Sequence, residues 1–202
     1  MAEAINRSIE FFDAQFQRQV RDGDFTLNLF ENLALPYLRG RVLDLGCGLG
    51  NLALEAARGG CSVLALDASA NAIEHIRSAA AAEGWSLEAT VADLTTCQIG
   101  EDFDVIVSIG LLMFLNRDRA RELLSEIQGH VRTGGNAIIN VLIEGTTYLE
   151  MFEPEHYYLF GRDELLESFN GWKILESRYD NFEAPGQTLK RFTTIVARKP
   201  GS

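Results

Sequence analysis

The 202-residue sequence holds three aspartates and a cluster of glycines at spacings that an alternating chain would gather into one place. Asp44 leads into Gly46, Cys47, Gly48, Leu49, Gly50 and Asn51. Asp67 stands 17 residues after Gly50, and Asp93 follows a third apolar run and precedes Leu94. Glycines at alternate positions give the backbone conformations that a Cβ disfavours and let it lie close against a ligand. Between a strand and a helix, such a turn aims amide N–H groups at anions, and with GxGxxG spacing it cradles a dinucleotide pyrophosphate. Here the spacing is GxGxG, Asn51 occupies the third position of that fingerprint, and Asp44 brings a negative charge into the loop. A carboxylate there repels a pyrophosphate and suits a ligand that carries an ammonium and a sulfonium. Ala68 beside Asp67, and Ser108 at the exit of a fourth apolar run, border the same crevice.

These residues meet only if the elements between them alternate. Strand-like residues 41–45 precede the glycine turn, and a helix over 51–58 is stopped by Gly59 and Gly60. A strand over 62–66, a helix over 69–83 ended by Gly84, and a strand over 86–92 follow. Residues 103–108 form a compact apolar strand, 118–131 a helix and 137–143 a fifth strand. The alternation then breaks: an aromatic-rich loop runs to about residue 160, a helix covers 163–169, and strands at 172–179 and 191–198 have no helix between them. The fold class is a doubly wound α/β sheet of seven mostly parallel strands with an antiparallel edge strand, and its ligands belong beyond the carboxyl ends of the strands. At the N-terminus, Ile5, Ile9, Phe12, Phe16 and Val20 share one helical face with Gln15 and Arg18 beside it, a helix expected to close over the site as a lid. Residues 25–38 read as a second helix disrupted by Pro36. One domain over 1–202 is expected: N-terminal helices in 1–40, a ligand-binding core in 41–143, and a loop, helix and strand pair in 144–202.

The run from Val42 to Gly50, with Asp67 and Asp93 in order behind it, resembles class I S-adenosylmethionine-dependent methyltransferases, strongly over about residues 41–143 and more loosely beyond. That resemblance implies S-adenosylmethionine as cofactor and S-adenosylhomocysteine as its product. It also implies that Asp67 accepts from both ribose hydroxyls and that Asp93 meets the adenine amino group, with Ala68 and Leu94 beside the base. Asp44, Gly46, Cys47, Gly48, Asn51 and Ser108 complete the expected cofactor set. Cys47 has no basic activator nearby in sequence and reads as packing. Within the family, four features are similar to the tellurite-resistance branch, small enzymes that methylate tellurium and selenium oxyanions and some thiols. They are Leu112-Met113-Phe114-Leu115, the ending from Arg191 to Lys199, Phe11-Phe12-Asp13 with Phe16 and Arg18, and Glu164-Leu165 with Gly171-Trp172. That branch carries a His-Arg pair between its last two strands, and residues 179–187 here contain neither.

The fourth-strand exit, Ser108-Ile109-Gly110, lacks the Asn-Pro-Pro-aromatic pattern that orients a planar amide or exocyclic amine. The acceptor is therefore expected to be small and electron-rich, needing no general base. It would sit near Met113 and Phe114 under the segment of His156, Tyr157 and Tyr158, with Arg18 or Arg191 as an anion contact; His156, Tyr157 and Arg18 are the catalytic candidates. His75 and His130 fall on helices, and no spacing suggests a metal site. Eighteen Lys and Arg against 29 Asp and Glu give a formal charge of −11, and none of the segments 1–40, 41–143 and 144–202 is basic. This excludes a sequence-independent binder of nucleic-acid phosphates. No apolar run approaches a membrane span, charges throughout residues 1–30 disagree with a secretory signal, and three cysteines form no CxxC pair. A cytoplasmic monomer or homodimer acting on a small molecule is expected. Two alternatives stay open: a non-catalytic S-adenosylmethionine-binding module and, less favoured, a nicotinamide-dependent oxidoreductase.

Overall fold

Strands buried on both faces must be apolar nearly throughout, and the central runs of this chain form such a parallel sheet. The computed structural model describes residues 7–154 and 156–201. Its strands are β1 (Arg41–Leu45), β2 (Ser62–Asp67), β3 (Leu87–Val91), β4 (Phe103–Ile109), β5 (Val131–Leu142), β6 (Lys173–Ala184) and β7 (Thr188–Arg198). Their order is β3-β2-β1-β4-β5-β7-β6. The first five are parallel, while β7 runs antiparallel between β5 and the edge strand β6. The chain progresses outward from β1 to β3 and returns to place β4 on the other side of β1. The order therefore reverses there, and a crevice opens beyond the C-terminal ends of β1 and β4.

Helices α1 (Arg7–Asp22), α2 (Leu29–Ala34), α3 (Asn51–Arg58), α4 (Ala70–Glu83), α5 (Arg117–His130) and α6 (Glu164–Ser168) complete the molecule. The two-residue period of β1 divides the core. Leu43 and Leu45 pack with Phe103, Ile106 and the α5 residues Leu123 and Ile127. Val42 faces the other way, with Val63, Val105 and Val107, toward Leu52 of α3 and Ile73 and Ile76 of α4. Asp44 shares the parity of Val42, which turns its carboxyl toward the α2 side of the crevice.

Three expected boundaries differ. The second helix begins at Leu29, not near residue 25, because Asn28 caps it. The Asn28 side chain accepts from the amides of Phe30 and Glu31 at 2.8 and 3.0 Å, and Glu31 accepts the Asn28 amide at 2.7 Å. This reciprocal box fixes the first turn, and Pro36 lies in a short 3-10 turn behind it. β5 starts at Val131, across an irregularity in its pairing with β4. The last two strands run on to Ala184 and from Thr188, so most of residues 179–187 is hairpin and only Pro185–Gln187 turns. Phe182 of β6 packs edge-on against Phe192 of β7, with ring centres 5.8 Å apart, and holds the extension together. In the N-terminal stripe, Ile9, Phe12 and Phe16 face the crevice, Val20 is exposed, and Ile5 lies outside the described residues. No described helix is long and apolar enough to cross a membrane.

Candidate functional site

At the end of β1 the backbone folds back on itself. The amides of Gly46 and Cys47 both donate to the Leu66 carbonyl, at 2.8 and 3.1 Å. Gly48 and Gly50 hold φ values of +53° and +73°, the left-handed region that glycine enters freely. Space is short as well: a Cβ on Gly50 would come within 2.6 Å of Ile76, and one on Gly48 within 3.1 Å of the Phe16 ring. The loop thus lies between α4 below and α1 above.

Asp67, the last residue of β2, ties this loop to the next helix. One carboxylate oxygen accepts the Gly48 amide and the other the Ser69 amide, both at 2.8 Å. A carboxylate offers about four lone-pair sites, so both oxygens keep acceptor capacity. Burial raises its pKa, against the lowering effect of those amides. Ser69 caps α4 through Ala72, and its hydroxyl donates to Asp13 of α1 at 2.5 Å. Asp93 sits in an exposed turn where the hydroxyl and amide of Thr95 hold its carboxyl below the usual range.

Asp44 is 5% exposed, and its carboxyl has no hydrogen-bond partner among the described residues. Burial, reinforced by the charges of Glu31 and Asp67, pushes its carboxyl up to about 8. The same surroundings push the Cys47 thiol well up, which removes thiolate character and leaves it as packing.

These groups line one cavity of about 700 Å³, within the roughly 300–1,000 Å³ typical of small-molecule sites. Asp44, Gly46, Cys47, Gly48, Asn51, Asp67, Ala68, Asp93 and Leu94 all contribute to its wall, as do Met113 and Phe114. Ser108 does not: its side chain is fully buried and its hydroxyl is unpaired among the described residues, and Ile109 and Gly110 reach the cavity in its place. Phe114 meets Phe12 of α1 edge-on at 5.2 Å, so the helix roofs the apolar end.

The expected acceptor contacts lie elsewhere. His156 is exposed, and its Nδ1 donates to the Pro154 carbonyl at 3.0 Å. Tyr157 is stacked on Phe152 at 4.6 Å, and the Tyr158 hydroxyl donates to Glu164 at 2.5 Å. Arg18 is on the exposed side of α1. Arg191 points to the far face of β7, where its Nε donates to Asn181. None of the five lines the cavity; packing and strand parity direct each of them away, which corrects the expectation that they surround the acceptor. In their place the wall holds Glu31, Asn140, Phe30, Phe182, Lys190 and Phe192. Glu31 carries no sequence signal for the site, and its place is set by the cap it forms with Asn28. The others depend on strand parity and on contacts across more than 100 residues.

A family model described as a methyltransferase domain matches residues 42–135. "Hemagglutinin 1" of Eikenella corrodens is 31% identical over 172 residues, covering 80% of this chain and 55% of that protein. The probable S-adenosyl-L-methionine-dependent methyltransferase TehB of Haemophilus influenzae (strain 10810) is 29% identical over 166 residues, covering 79% of this chain and 57% of that protein. The crystal structure of TehB from Haemophilus influenzae superposes with a TM-score of 0.75 at 25% identity, over 90% of this chain and 65% of that one. The chain spans a little over half the length of these curated relatives. With the glycine loop, the strand-end aspartates and the reversed β7 all in place, the fold is that of the class I S-adenosylmethionine-dependent methyltransferases, residues 42–135 match a methyltransferase domain, and the chain is similar to TehB.

Proposed function

We propose that this chain transfers a methyl group from S-adenosylmethionine to a small, electron-rich acceptor such as a chalcogen oxyanion, a thiol or a comparable metabolite. The observation that carries this reading is the division of a single cavity into an acidic half at the glycine loop and an apolar, aromatic half under α1.

The acidic half fits the cofactor chemically. S-Adenosylmethionine presents hydrogen-bond donors and positive charge, and Asp44 offers a buried carboxyl without a partner among the described residues. Asn51 Oδ1 and Asn140 Oδ1 are likewise buried acceptors without a protein donor among those residues, and buried polar atoms of this kind call for a ligand or water. Asp67 would hold the ribose hydroxyls, Asp93 the adenine amino group, and Asp44 the cationic end. When bound, the cofactor supplies a methyl group on a positively charged sulfur, which leaves as a neutral thioether once the acceptor's lone pair takes the carbon.

The protein's share is then to exclude water and align the acceptor, because charge is dispersed rather than created in such a transfer. The aromatic half is built for that, and no histidine among the described residues stands on its wall to act as a base. A soft nucleophile that is already anionic or carries a free lone pair needs none. The test is incubation with methyl-labelled S-adenosylmethionine across selenite, tellurite, thiols, amines and carboxylates. Label is expected in a thiol or chalcogen product, together with S-adenosylhomocysteine. Transfer confined to amines would overturn the acceptor class, and cofactor binding without any transfer would favour a non-catalytic module.

A further inference from the structure

The acceptor half of the cavity carries a single cationic side chain among the described residues, Lys190. Alternation along β7 sends Lys190 and Phe192 to the cavity face and Arg191 to the other. The Lys190 ammonium rests 4.6 Å from the centre of the Tyr148 ring, and no carboxylate among the described residues forms an ion pair with it. Burial pulls its amine below the ordinary lysine value. A partly desolvated ammonium left with only a ring face gains most from an arriving anion, because charge-assisted hydrogen bonds are the stronger kind. The wall around it is mainly aromatic and aliphatic, with Glu31 and Glu183 also contributing to the lining of the cavity. Phe30 and Phe192 lie 4.8 Å apart, Phe182 packs against both, and Leu142 and Met151 share the wall.

We infer that this lobe takes an acceptor with an aromatic or aliphatic body and one carboxylate, the carboxylate on the Lys190 ammonium and the body against Phe30, Phe182 and Phe192. The inference rests on reading the cavity as a methyl-transfer site, and it narrows the acceptor class. An inorganic oxyanion would satisfy the charge and leave the rings uncovered.

Calorimetric titration of benzoate into protein saturated with S-adenosylhomocysteine reads this contact without turnover. Benzoate is expected to bind at least about tenfold more tightly than benzyl alcohol, the difference expected of one charged hydrogen bond. Lys190→Met should abolish that preference and Lys190→Arg should retain it within a few-fold, with circular dichroism verifying that each variant is folded and Lys190→Gln standing in if the methionine variant is not. Absence of benzoate binding, or binding unchanged in Lys190→Met, would overturn the inference; selenite binding as tightly as benzoate would overturn its apolar half. Failure of the methyl-transfer reading looks different: benzoate would bind through Lys190, yet no acceptor in the labelled screen would gain a methyl group.

Discussion

Asp44 occupies a place where burial opposes its charge, and that opposition has two measurable consequences. Its folded-state carboxyl titrates at about 8, against about 3.9 for an unperturbed aspartate. Between those values the folded chain holds a proton that the unfolded chain has released, so this group's contribution to stability is full below about pH 4 and is lost as the pH rises through 8. Asp44→Asn removes that slope. At pH 8 the ligand-free variant is expected to melt several degrees higher, each kcal/mol being worth roughly 2–4 °C at this size, while its affinity for S-adenosylmethionine falls about tenfold or more. An unchanged melting temperature together with unchanged affinity would contradict both roles. A cationic ligand favours the ionised carboxyl, so binding near pH 7 should release a proton, detectable as a binding heat that differs between buffers of unlike ionisation enthalpy. Asp67 works in the opposite setting, anchored by two backbone amides with lone pairs to spare. Asp67→Ala should weaken the cofactor by about tenfold or more without the stability gain; Cys47→Ser should change little.

α1 sits across the mouth of the cavity, and its contacts there include Phe12 against Phe114, Phe16 over Gly48, Asp13 with the Ser69 hydroxyl, and the Ser8 hydroxyl donating to the Met151 carbonyl at 3.0 Å. We propose that a helix so placed closes over bound cofactor as a lid. Amide exchange over residues 8–22 should therefore slow when S-adenosylmethionine is added, while α3 and the central strands stay unchanged. Equal protection with and without the ligand would make α1 a fixed wall. Elements such as α3 and α4 were readable because their signals are local: glycines or a serine at one end, Gly59 or Gly84 at the other, and a clean apolar period between. The start of α2 differs from the sequence expectation because the Asn28 and Glu31 box outweighs the apolar residues before it. The length of the β6–β7 hairpin was hidden because it depends on Phe182 and Phe192 meeting across the turn.

For the molecule as a whole, the gathering of the glycine loop and strand-end aspartates at one end of the cavity was legible and the aromatic end was not, for one physical reason. Each strand-end aspartate is fixed by its own strand, so Asp44, Asp67 and Asp93 could be placed from short stretches of chain. The acceptor wall is assembled from α1, α2, β5, β6 and β7, and a single step in parity decides whether Lys190 or Arg191 faces inward. His156, Tyr157 and Tyr158 follow β5 as expected, yet their partners Pro154, Phe152 and Glu164 hold them outside. The negative charge of −11 likewise describes the molecule as a whole and conceals Lys190, the one cation lining its cavity among the described residues. What the whole arrangement must do, before any acceptor is chosen, is prefer a cationic cofactor over a doubly charged pyrophosphate. Parallel calorimetric titrations with S-adenosylmethionine and NADH measure that preference directly. Saturable binding of S-adenosylmethionine at one site per chain is expected, with no heat from NADH; saturable NADH binding with S-adenosylmethionine silent would contradict it.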